Sequence, residues 1–124
     1  MKVAQAYAGQ AGVKIRTVEA SHDTFDFGES QWDLILCSYN FMDPWDAKWP
    51  ATLWRALQPK GIAVWQTSVR RETSQAPLKA NALLDNWKQF HLIRFEDLDP
   101  GVIDDDWLPS RTNRTIRLVV RKEQ

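Results

Sequence analysis

The sequence predicts an α/β domain built around a βαβ unit, and three segments carry that prediction. Leu34–Cys37 is an unbroken apolar run, as expected of a strand buried on both faces of a parallel sheet. Residues 46–57 place apolar side chains at helical spacing and end at residues 58–61, where Pro stops the helix and Gly permits a tight turn. Ile62–Trp65 is a second apolar run. Such units bind ligands at the carboxyl ends of their strands.

The same patterns predict the other elements. Residues at helical spacing indicate further helices, and alternating apolar residues indicate further strands. We expect a three-layer arrangement with a mostly parallel sheet and a C-terminal antiparallel strand. The further elements are helices at 2–11 and 78–90 and strands at 13–20, 91–95 and 115–121.

Length, charge and cysteine content narrow the class of protein. The chain has 124 residues, which suits a single domain over 1–124, and its 16 basic residues balance its 16 acidic ones. This balance predicts no nucleic-acid partner and no membrane partner. The single Cys37 excludes a disulfide framework and favours a reducing, cytoplasmic setting. Seven tryptophans indicate a bulky core or an apolar contact surface.

Four segments together resemble one enzyme family. WDLILCSYNFM, LQPKGIAVW, LLDNWKQFHLIRFEDLDP and TIRLVVRK are similar to the later elements of class I S-adenosylmethionine (SAM)-dependent methyltransferases, closest to the small single-domain TehB-like type. The resemblance implies a Rossmann-like fold, SAM as cofactor and a small-molecule methyl acceptor. It places Met1 after the family's GxGxG loop and ribose-binding acid. The resemblance therefore implies a truncated domain that binds SAM poorly by itself.

The resemblance also implies a cofactor-binding loop after residues 13–20. Ser21 stands where the family carries an acid that binds the adenine amino group, and Asp23 follows two residues later. His22 between them could act as a general base, because its ordinary pKa suits that role. The alternatives are that Ser21 and Asp23 cap a turn and that His22 is a solvent-exposed loop residue.

A second group of site residues follows the two apolar strands. By resemblance, Ser38 and Tyr39 face the cofactor, and Tyr39 and Asn40 orient the acceptor. Gln66 and Ser68 would line the same cleft. Methyl transfer needs mainly proximity and alignment, so we expect no metal and assign no catalytic residue. The alternative is a polar loop packed over aromatic side chains.

The missing family elements lead to a prediction about partners. Without a neighbour, the Leu34–Cys37 strand would expose an unpaired edge, which native proteins cover or avoid. The residues 13–20 could move inward, a second copy could bind, or a different chain could complete the fold. We expect a homodimer or a complementing chain. Two functions stay open: a methyltransferase that needs completion, or a non-catalytic module that self-associates or binds a partner.

Overall fold

A computed structural model describes residues 1–38, 43–70, 83–98 and 113–124. The predicted α/β class is confirmed. The elements in chain order are α1 (Lys2–Gln10), β1 (Trp32–Ser38), α2 (Lys48–Ala56), β2 (Leu57–Arg70), α3 (Leu83–Asn86), β3 (His91–Leu98) and β4 (Asn113–Arg121).

The described strands form one four-stranded sheet in the order β1-β2-β4-β3. β1 and β2 are parallel, with Leu34 opposite Ile62 and Ser38 opposite Gln66, so the predicted βαβ unit is confirmed. β4 runs antiparallel to both β2 and β3. The expectation of a mostly parallel sheet is therefore wrong. The physical reason is that β4 turns back from β3 and inserts between β3 and β2, which makes two of the three strand pairs antiparallel.

The hydrophobic core lies on one face of this sheet. Both described crossovers run in the same direction across the sheet, and right-handed connections then place α2 and α3 on the same side. Among the described residues, α1 contributes no side chain to the core cluster. The predicted third layer is thus not present in the described part of the chain. The cluster includes Ile35, Cys37, Ala63, Trp65, Leu118 and Val120 from the sheet, and Trp49, Leu53, Ala56, Leu83, Trp87 and Phe90 from α2, α3 and the turn after α3.

Residues 13–20, predicted as a strand, do not form one. In the described part of the chain, β1 pairs with β2 alone, and this segment does not add to its free edge. Val13, Ile15 and Val18 are exposed, and the segment is held by a 3.1 Å hydrogen bond from Gln5 Nε2 to Thr17 Oγ1. The alternation of apolar residues was a local signal, and no neighbouring strand supports it. The idea that this segment moves inward beside β1 is therefore wrong.

Residues 58–61, predicted as a tight turn after the helix, belong to the first part of β2 and differ in detail from the prediction. α2 ends at Ala56 as expected, but the positive φ of 69° belongs to Lys60 and not to Gly61. Gly61 is needed for space, because a Cβ there would lie 2.8 Å from the carbonyl oxygen of Gln58 and 3.0 Å from that of Trp32. The glycine thus lets β2 approach the start of β1 closely.

Lys122, which follows β4, stabilises the C-terminal end of α2. The side chain is buried, and its Nζ donates to the carbonyl oxygens of Trp54 at 2.7 Å and Leu57 at 3.0 Å. Trp54 lies in the last turn of α2 and Leu57 is the residue that caps it, where carbonyls lack helical partners, and a cation there also complements the helix dipole. The helix predicted at 78–90 is described only from residue 83, because residues 78–82 lie outside the described part.

Candidate functional site at the carboxyl ends of β1 and β2

Two of the predicted site residues lie side by side where the parallel strands end. Ser38 is the last residue of β1 and is exposed, and Gln66 lies opposite it in β2 and is half-buried. Ser68 follows two residues later in β2, opposite Thr115. Tyr39 and Asn40, the other residues predicted here, lie outside the described residues.

The loop predicted to bind the cofactor forms a tight turn. Ser21 Oγ accepts a 3.3 Å hydrogen bond from the backbone N–H of Asp23. The carbonyl oxygen of Ser21 accepts from the N–H groups of Thr24 at 3.1 Å and Phe25 at 2.9 Å. This is the turn-capping geometry that the sequence left open as the alternative for Ser21. These hydrogen bonds fix the backbone of the loop, while Ser21, Asp23 and Thr24 stay exposed to solvent.

Asp23 connects this loop to the beginning of α2. Its Oδ1 accepts a 2.8 Å hydrogen bond from Lys48 Nζ, and its Oδ2 lies 3.5 Å from His22 Nε2. The hydrogen bond from Lys48 holds the pKa of Asp23 below its usual range, and the same bond raises the pKa of Lys48. Lys48 Nζ also lies 4.8 Å from the centre of the Trp49 ring. Both members of the pair are therefore charged at neutral pH.

Trp49 places the loop at the same end of the sheet as Ser38 and Gln66. Its ring lies 5.7 Å from the His22 ring and 6.5 Å from the Trp65 ring, measured between centroids. Trp65 is opposite Cys37, one residue before Ser38. Ser21, His22 and Asp23 thus form one group beside the buried Trp49. Ser38 and Gln66 form a second, one residue further along the strands than Cys37 and Trp65 and on the other face of the sheet.

An apolar groove of about 750 Å³ begins beside His22 and runs toward the start of β1. A 2.7 Å hydrogen bond from Trp32 Nε1 to the Phe27 carbonyl oxygen fixes one wall. Sequence reasoning treated residues 21–31 as a plain loop and missed this feature, although Phe25 and Phe27 gave a signal as closely spaced aromatics. The groove can hold a flat apolar group against aromatic rings. Its lining residues are Ile15, Arg16, Val18, Ala20, His22, Phe25, Phe27, Gln31 and Trp32.

Two kinds of feature are absent from the described residues, a cluster of metal ligands and a membrane-spanning helix. Across residues 1–38, 43–70, 83–98 and 113–124, no three His, Cys, Asp or Glu side chains gather as metal ligands would. No helix within these ranges is long and apolar enough to cross a membrane.

Comparison with known proteins shows the fold. No family model and no curated protein matches the sequence. Among solved structures, the chain is similar to the [4+2]-cyclase SpnF (TM-score 0.60, 16% identity, covering 98% of this chain and 61% of that one). It is also similar to TehB from Haemophilus influenzae (TM-score 0.67, 11% identity, covering 95% and 44%). A third is a candidate sarcosine dimethylglycine methyltransferase from Galdieria sulphuraria (TM-score 0.68, 11% identity, covering 98% and 66%).

These neighbours have the fold of SAM-dependent methyltransferases. At such low identity the similarity concerns the fold and not the activity. The chain spans between 44% and 66% of the length of these three structures. Over nearly its whole length, the chain therefore has a methyltransferase-like fold.

Proposed function

We propose that this chain is part of a SAM-dependent methyltransferase that acts on a small molecule. One observation carries the proposal: Ser38 and Gln66 lie side by side at the carboxyl end of a parallel strand pair, within a methyltransferase-like fold. In α/β sheets of this kind, ligands bind at that end of the strands.

The described residues fit the adenine part of SAM. The groove offers aromatic rings from Phe25, Phe27 and Trp32, on which a flat heterocycle can lie, and His22 at its end. His22 at the groove end contacts the ring of Trp49, and Trp49 contacts Trp65, the residue before Gln66, so one buried ring separates the groove from the strand ends. The fit comes from shape and stacking.

SAM, when bound, would supply an activated methyl group for an in-line displacement. The work left to the protein is to align the acceptor and to exclude water. The Ser38 hydroxyl and the Gln66 amide can position the acceptor by hydrogen bonds, since both are polar and neutral and lie opposite one another. The similarity to a cyclase shows that this fold also serves other chemistry, so the acceptor is not defined by the fold.

We further propose that the isolated chain holds SAM weakly. The Ser21 hydroxyl is already bonded to the backbone N–H of Asp23, and the Asp23 carboxylate to Lys48. Both groups keep further lone pairs, so an adenine amino group would share these acceptors with the partners already in place and gain less from them. Each polar contact that a ligand fails to make forgoes about 1–3 kcal/mol, and tenfold in affinity is about 1.4 kcal/mol, so a few such losses remove most of a micromolar affinity.

Histidine NMR tests this proposal, because the chain has two histidines. His22 lines the groove, and His91 lies exposed at the start of β3. Titration with S-adenosylhomocysteine should move the ring signals of His22 and leave those of His91 in place, with a midpoint in the high micromolar range or above. Adenosine alone should give the same pattern with a weaker midpoint, because it carries the stacking group only.

Three results would count against the proposal. Unchanged His22 signals at millimolar ligand would remove the cofactor site. A response at His91 alone would place binding elsewhere. A midpoint in the low micromolar range would keep the site but contradict weak binding.

A second candidate function is a non-catalytic module that self-associates or binds another protein. The observation that favours it is the apolar side chains of β1, which are exposed on the sheet face away from α2 and α3. This candidate predicts no response to S-adenosylhomocysteine at either histidine.

A further inference from the structure

β1 is an edge strand whose apolar side chains are uncovered. Within the described residues, it pairs with β2 on one side only. Leu34 is 57% exposed and Leu36 is 65% exposed, on the face opposite α2 and α3. Ile35 between them points into the core. The stretch from Leu34 to Leu36 carries no charge and is regular in its register with β2.

The other edge of the sheet is built differently. β3 has a register irregularity between Leu92 and Arg94, and Arg94 forms an ion pair with Glu96. Bulges and charged side chains are the usual means by which proteins keep an edge strand from pairing. β1 has an irregularity and a charge only at its start, between Trp32 and Leu34 where Asp33 lies, and Leu34–Ser38 has neither.

We propose that β1 pairs with β1 of a second copy of this chain, antiparallel, about a two-fold axis through Ile35. The pairing would join the two sheets into one of eight strands. It does not depend on the proposed function. An interface of this kind is isologous, so it closes at two copies and leaves no further β1 edge open.

The sequence of β1 matches itself in this register. Leu34 lies opposite Leu36 of the second copy, and Ile35 opposite Ile35. In an antiparallel pair, residues directly opposite one another lie on the same face, so the exposed leucines of both copies contact each other there. The two Asp33 carboxylates are four residues apart along the ladder, about 14 Å, and do not oppose one another. The chain also has no net charge to hold two copies apart.

Light scattering on matched lysine variants tests the interface. The wild-type chain at tens of micromolar should have twice the 14.4 kDa mass of one copy. Leu36→Lys should reduce the mass to that of one copy, because it places a charge in the leucine cluster. Leu92→Lys, on the protected edge, should leave the dimer intact. The circular dichroism of both variants should match the wild type.

Mixed cysteine variants test the register and remain informative if a lysine variant fails to fold. Leu34→Cys and Leu36→Cys chains, mixed and oxidised, should cross-link several-fold more than either chain alone, because those two positions face each other across the axis. A wild-type mass of 14.4 kDa would overturn the proposal, as would a dimer that Leu36→Lys leaves intact. Equal cross-linking in the mixture and in the separate chains would overturn this register.

Discussion

Two core tryptophans, Trp65 and Trp87, differ in whether the indole N–H has a hydrogen-bond acceptor, and the effect on stability can be measured. Trp65 and Trp87 are 1% and 2% exposed, and their rings contact each other edge to face at 5.5 Å. Trp87 Nε1 donates to the carbonyl oxygen of Pro44 at 3.1 Å. Trp65 Nε1 is buried and finds no acceptor among the described residues. Substituting each by Phe removes the same atoms from the same cluster.

The difference between the two substitutions isolates the hydrogen bond. Each variant loses the same apolar atoms, so the transfer and cavity terms are similar and largely cancel. Trp87→Phe also loses a hydrogen bond with a net value of about 1 kcal/mol and leaves the Pro44 carbonyl unpaired. Trp65→Phe removes a buried unpaired donor, whose burial costs about 1–3 kcal/mol. We expect Trp87→Phe to be the more destabilising by about 2 kcal/mol, roughly a 30-fold difference in the unfolding equilibrium.

Urea unfolding of the two variants, followed by circular dichroism, gives this difference directly. The comparison holds if both variants keep the wild-type dependence on urea, since that slope reports the surface exposed on unfolding. The protein concentration should be equal throughout, because self-association would add to the stability. Equal destabilisation, or a larger loss in Trp65→Phe, would refute the reasoning.

Three further substitutions test other parts of the fold. Gly61→Ala should destabilise the fold by about 1–3 kcal/mol, because its Cβ would meet two backbone oxygens. Gly9→Ala, with open space around its Cβ, should instead stabilise α1 by about 0.5–1 kcal/mol. Thermal unfolding of both variants measures these changes. Lys122→Met should lower the free energy of unfolding by about 1–3 kcal/mol through the loss of two hydrogen bonds to the end of α2, measured by urea unfolding. Because the pKa of Asp23 is lowered by Lys48, the pair stabilises the fold above the ordinary value of 3.8 and is lost as the pH falls through the lower folded value. In Lys48→Met, carboxyl NMR should show the Asp23 pKa rising back toward 3.8, and an unchanged pKa would contradict the pairing.

Sequence reasoning found the central strands and the helix between them because their signals are local. The apolar runs Leu34–Cys37 and Ile62–Trp65 both lie within observed strands, and α2 lies within the predicted range 46–57. Sequence reasoning failed where a segment's structure depends on the strands beside it. Residues 13–20 alternate like a strand but pair with no strand in the described part of the chain. The position of β4 between β2 and β3 makes most of the strand pairs antiparallel.

In the candidate site too, sequence reasoning found what strand positions determine and missed what depends on contacts between distant residues. Sequence reasoning predicted that Ser38 and Gln66 would share a cleft, because parallel strands end at one edge, and the register places them opposite one another. The contact of Asp23 with Lys48 joins residues 25 positions apart and follows no spacing rule. The groove depends on how residues 13–32 fold over one another, and the sequence indicated it only weakly, through the closely spaced aromatic residues Phe25 and Phe27.

A crystal structure of the chain with S-adenosylhomocysteine would test the central claim most directly. Our account predicts that the adenine ring lies in the groove against Phe25, Phe27 and Trp32, beside His22. The sulfur should face the carboxyl ends of β1 and β2 near Ser38. A ligand bound on another surface, or adenine outside the groove, would contradict the proposed site.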